Sequence, residues 1–173
     1  MTISYHPTDK RVAVAMPLAT VDRLWRAVVA GLCGNIAHGT LMFLKERMGW
    51  LPTFQPYQDL QRMLGEAFGR SVQPALPWVL SFVNGTLIIS LVFSLIYGRL
   101  PGRSGAAKGF VLGLVGWGAM GLFLFPMLGR GLFASGIGLG LWPAAFSLAM
   151  VLAYSIFVGI AYAALDRTRS RLG

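Results

Sequence analysis

Residues 77–97 read PWVLSFVNGTLIISLVFSLIY. No Lys, Arg, Asp or Glu interrupts these twenty-one positions, which as a helix would be ~31 Å long, about the thickness of a bilayer's hydrocarbon core. The apolar residues run on without alternating, so the stretch reads as a membrane helix and not as a barrel strand. Three further stretches read the same way: 27–44, 106–128 with Lys108 near its start, and 141–165. Across all 173 residues, 55% are hydrophobic, 12% are charged and the mean hydropathy is +0.64. A soluble domain carries about 25% charge, so this chain lacks the polar residues to coat a surface facing water. An ordinary cytosolic enzyme, a disordered tail and a nucleic-acid-binding domain are thereby excluded. The expected fold class is all-α, an integral membrane four-helix bundle with one amphipathic surface helix in its first outer loop.

Charge placement orients this bundle. The net charge is +9, from 15 Lys and Arg against 6 acids. Ten of the fifteen basic residues fall on one side of the four stretches: Lys10, Arg11, Arg23, Arg26, Arg99, Arg103, Lys108, Arg167, Arg169 and Arg171. The other side holds Lys45, Arg47, Arg62, Arg70 and Arg130, partly offset by Glu46, Asp59 and Glu66. By the positive-inside rule the first side is cytoplasmic. The expected organisation is a cytoplasmic arm over 1–24, a four-span domain over 25–166 and a basic cytoplasmic tail over 167–173. The expected location is a bacterial inner membrane, with the bilayer as the principal partner. A cleaved signal peptide is not expected, because Pro17 breaks the run from Val12 to Ala19, and Asp22, Arg23 and Arg26 follow where small residues should lie.

The longest connection runs from Lys45 to Gln73. Its apolar residues Tyr57, Leu60, Met63, Leu64, Ala67 and Phe68 recur at helical spacing. Such a helix would lie flat on the outer membrane face, with Trp50 and Tyr57 at headgroup level, or else cap the bundle. Between the third and fourth stretches stand Gly129, Gly131, Gly136, Gly138 and Gly140. Without a preceding strand or a following lysine they are not a nucleotide cradle; they mark backbone that turns tightly.

Two groups of residues bear on function. Gly105, Gly109 and Gly113, four apart, put a side-chain-free stripe on the third span, where another helix of the chain or of a partner can approach closely. Asn35, His38, Asn84 and Ser147 are polar residues inside spans. Counted from the outer ends, His38, Asn84 and Ser147 each lie roughly 9–10 Å deep, so one polar layer is expected, with Asn35 a turn deeper. Intramembrane polar residues are functional candidates, but they also serve as hydrogen-bonding glue between helices. If they form a site, a cavity should hold them and open outward. Cys33 is the sole cysteine and reads as a small hydrophobe, and His6 and His38 cannot make a His-rich metal site. No catalytic set, metal site or cofactor is expected, and the absence of Asp and Glu inside the spans argues against a proton pump.

Several stretches resemble a family of small four-helix bacterial inner-membrane proteins of no assigned function. They are AGLCGNIAHGTLMFLKERMGWLP (30–52), FVNGTLIISLVFSLIYGRLPG (82–102), KGFVLGLVGWGAMGLFLFPMLGRGLF (108–133) and YSIFVGIAY (154–162). The resemblance covers about 27–165 and rests on glycine placement and on Phe125 to Phe133. It implies histidines in relatives where this chain has Ser81 and Val151, and so the loss of whatever those histidines bind.

The expected function is a non-enzymatic accessory or scaffold protein whose glycine face associates with a second copy or with another membrane protein. The alternative is a small permease or ligand-binding membrane protein with its site at Asn35, His38, Asn84 and Ser147. A membrane enzyme acting on lipid or quinone is a third, weaker reading.

Overall fold

The computed structural model describes residues 18–172, and among these it is helical without strands. Residues 1–17, most of the expected arm, lie outside the described residues. Four helices have the length and apolarity to cross a membrane: Thr20–Arg47, Ala75–Ile96, Gly105–Met127 and Trp142–Arg167. These are candidate spans 1 to 4. Span 1 starts earlier than the expected residue 27. Arg26 pairs with Asp22 one turn before it and with Asp166 of span 4, so the charged turn stays helical. The expected tail likewise continues the fourth helix, which runs to Leu172.

Only 17% of the apolar window of span 3 and 39% of that of span 4 is buried within the protein. Ile36, Leu95, Val115 and Phe123 are all more than half exposed. A continuous apolar exterior of this kind needs an apolar surrounding.

Glycines set the arrangement of the spans. A Cβ at Gly105 would collide with the Gly159 carbonyl, and one at Gly159 with the Gly105 carbonyl. Gly109 lies against the backbone of Ser155, and Gly113 against Leu152 and Ser155. The expected glycine stripe is therefore filled from within the chain, by span 4. On span 1, Gly34 receives Tyr154 and Val158 of span 4, while Gly31 receives the backbone of Thr86 in span 2. In space the order is 2–1–4–3: span 2 packs on span 1, span 3 on span 4, and spans 2 and 3 meet at most marginally.

Both ends of the assembly are pinned. At the end bearing the termini, Phe93, Tyr97 and Tyr162 pack edge to face or tilted. Arg26 lies over the Tyr162 ring, and Lys108 donates to the Tyr97 carbonyl at 2.7 Å. At the opposite, cap end, Phe54, Phe125 and Ala134 are buried together. The helix Pro56–Phe68 forms as its spacing predicts, and Gly69 ends it in the left-handed conformation. It takes the capping role: Asp59, 4% exposed, pairs with Arg62 and with Arg130 of the connection between spans 3 and 4. That carboxylate raises the Arg130 pKa above its ordinary value. Phe133 adopts φ +52° in the glycine-rich connection, with its ring seated on Gly121 and against Trp117.

Leucine at Gly109 would have to push aside the Ser155 backbone, whereas no atom lies within 4 Å of where a Cβ would sit at Gly118. We expect Gly109→Leu to destabilise the protein by ~1–3 kcal/mol in a detergent unfolding titration, and Gly118→Leu to stay near the wild type. Equal stability of the two variants would contradict this packing.

Candidate functional site

Two of the spans are not regular α-helices. Span 2 widens to π-helical turns over Asn84–Ile89, and span 3 over Met120–Leu124. Such turns cluster at functional positions. In span 3 the cause is local: Pro126 has no N–H to offer the Leu122 carbonyl, and Gly121 lets the wall of the turn accept Phe133. In span 2 the widened turn is held by side chains. Asn35 donates to the Phe82 carbonyl at 3.0 Å and to Thr86 Oγ1 at 2.7 Å. Tyr154 Oη donates to the Gly85 carbonyl, and Ser90 Oγ to the Thr86 carbonyl. Carbonyls displaced from ordinary helical bonding thus find donors, as an apolar surrounding demands.

The two widened turns face one cleft of about 270 Å³ to which all four spans contribute. Its polar lining is Asn35, His38, Ser81, Asn84, Tyr154 and Ser155; the remainder is apolar or glycine. A second cavity of about 320 Å³ lies beside it and shares Asn35, His38 and Ser81. At the cap end the Tyr57 hydroxyl meets His38 Nε2 at 3.0 Å and Ser81 Oγ at 3.2 Å. The Tyr57 ring stacks on Trp78, with centroids 3.9 Å apart. Burial raises the Tyr57 pKa above its usual value, opposed by the Ser81 hydrogen bond, so at neutral pH it is a phenol.

Three of the four expected polar residues meet here. Asn35 and His38 are bonded as described. Asn84 lines the cleft, and its side chain makes no hydrogen bond. Ser147 does not join them. It accepts from Trp117 Nε1 at 3.1 Å, donates to the Ala144 carbonyl at 2.9 Å, and links spans 3 and 4. Depth along a helix fixes height but not direction, and Ser147 points away from the cleft lining. Conversely Tyr57, Thr86 and Tyr154 were not legible as members. Their polar atoms matter only because an imidazole and a hydroxyl, an amide, and a carbonyl respectively sit opposite. Ser81 and Val151, where the resemblance implies histidines in relatives, both line the cleft. Among the described residues no three of His, Cys, Asp and Glu gather as a metal site.

The arrangement defines a class: a small protein of four span-length apolar helices around an uncharged, partly polar cleft. The chain belongs to the family of unknown function DUF6789, whose family model matches residues 21–172. No curated protein and no solved structure matches it.

Because Asn35 holds two partners and Asn84 none, the two asparagines should respond differently. Asn35→Leu is expected to cost ~1–2 kcal/mol of stability in the same detergent titration, and Asn84→Leu less than ~0.5 kcal/mol. A larger loss at Asn84 would mean that it bonds within the protein.

Proposed function

We propose that this chain is a multi-pass protein of a bacterial-type inner membrane, with both termini cytoplasmic, that binds a small molecule in the cleft between its spans and does no chemistry on it. One observation carries the reading. An amide with nothing to bond, Asn84, stands on a widened turn in the wall of a cavity to which every span contributes. An unbonded amide in an apolar surrounding is costly, and a ligand that bonds it recovers that cost. The cleft volume is close to the range of small-molecule sites. Association through Gly105, Gly109 and Gly113 has no free face to use, since span 4 fills it. The orientation rests on the ten basic residues of one side.

At Gly116, a cleft residue, the nearest neighbour of an added Cβ is Val151 Cγ1 at 3.8 Å, so a leucine fits and projects into the cleft. Protein purified in nanodiscs from its own membranes, extracted and analysed by mass spectrometry, should yield a stoichiometric small molecule. Gly116→Leu should reduce it about tenfold. A wild-type extract with no such molecule, or one unchanged by Gly116→Leu, sinks the binding reading. A reporter fused after Gly173 should be active in the cytoplasm; activity in the periplasm would invert the topology.

A further inference from the structure

Building on the binding reading, we propose that the ligand is an uncharged lipid-phase molecule with a hydroxyl or carbonyl head, and that it reaches the cleft sideways, from the bilayer, between spans 2 and 3.

The route follows from what closes the cleft. Towards the termini, Ile89 of span 2 and Leu112 of span 3 pack on the cluster containing Phe93, Tyr154 and Tyr162. Towards the cap, Met120 packs on Phe54, Phe125 and Ala134, and Tyr57 lies across His38 and Ser81. Between these two closures spans 2 and 3 share no packed interface. There the cleft residues Asn84 of span 2 and Gly116 of span 3 are exposed. At these heights both helices turn apolar side chains outward, Val83 and Leu87 on one and Leu114 on the other. The opening therefore faces the medium that covers those side chains.

The head group follows from the lining. It contains no Lys, Arg, Asp or Glu, and its imidazole, His38, is engaged by the Tyr57 hydroxyl, so no fixed charge there compensates the desolvation of an ion. The groups left to bond are neutral. Asn84 offers both amide hydrogens and its carbonyl oxygen. Asn35 has committed its amide to span 2 and retains its oxygen. A carbonyl can accept from Asn84, and a hydroxyl can both accept and donate there. The apolar body then lies along Leu112, Met120 and Leu124.

Photolabelling of the full chain in phosphatidylcholine nanodiscs tests this. The probe is a long-chain alcohol carrying a diazirine near its head, compared with the same chain ending in a carboxylate or a trimethylammonium group. The alcohol should label 81–89 and 112–124 at cleft positions, and Gly116→Leu should cut that labelling about tenfold. The charged probes should label those positions about tenfold less than the alcohol. Asn84→Leu, which removes no bond within the protein, should weaken labelling by the alcohol while stability is retained. Equal labelling by the charged probes overturns the neutral head group. Labelling spread evenly over outward residues such as Val115 and Phe123, and unmoved by Gly116→Leu, overturns lateral access. If a molecule is extracted from the wild type and lost in Gly116→Leu while the alcohol fails to label the cleft, only this proposal falls. If none is extracted, the binding reading falls with it.

Discussion

The reciprocal approach of Gly105 and Gly159, each carbonyl occupying the space of the other's missing side chain, determines how these helices can be arranged. Without a hydrophobic drive between helices in an apolar medium, close backbone packing is what holds them together. Span 4 uses one set of small residues against span 3, and presents Tyr154 and Val158 to Gly34 of span 1. Span 1 in turn offers Gly31 to span 2. Spans 1 and 4 thereby become the centre and spans 2 and 3 the flanks. The gap between the flanks follows from this order, because neither has a small-residue stripe for the other. The cleft is thus a product of where glycines were placed, not of residues chosen to line it.

The widened turns add what packing alone would not. An extra residue in a helical turn displaces carbonyls from their usual donors, and in an apolar surrounding each must be bonded again. On span 2 this is done by Asn35, Tyr154 and Ser90, contributed by three different spans. These polar residues are consequently structural and site-forming together. Asn35 and Tyr154 bind span 2 to the centre, and Asn84 faces the gap, where nothing in the chain bonds it.

The four candidate spans were legible from their uncharged runs, and the capping helix from the spacing of Tyr57, Leu60, Met63, Leu64, Ala67 and Phe68. Composition and periodicity report on one helix at a time, and both features belong to single helices. The glycine stripe was legible as a packing face, but not its partner, because a stripe does not say which helix fills it. The polar layer was half legible. Asn35, His38 and Asn84 converge, and Ser147 does not, because height was counted while the direction of each side chain about its helix was not. The π-helical turns of spans 2 and 3 shift that direction further, and no regular period anticipates them. The Asp59–Arg130 pair joins residues in two separate connections, so nothing local could reveal it.

Charge and polarity are divided in a way that bears on recognition. Ion pairs stand at both ends of the fold: Arg26 with Asp22 and Asp166 at one, Asp59 with Arg62 and Arg130 at the other. Between them the cleft is lined by amides, hydroxyls, an imidazole and apolar side chains, with no Lys, Arg, Asp or Glu. Under the proposed reading, long-range electrostatics would act on orientation and anchoring, and would do little to attract a ligand to the centre. Discrimination inside the cleft falls to hydrogen-bond matching and shape. A site built to bond a head group rejects an analogue lacking it far better than an apolar pocket rejects a missing methylene. Asn84, the one cleft amide left wholly unbonded, is the group on which such discrimination would turn.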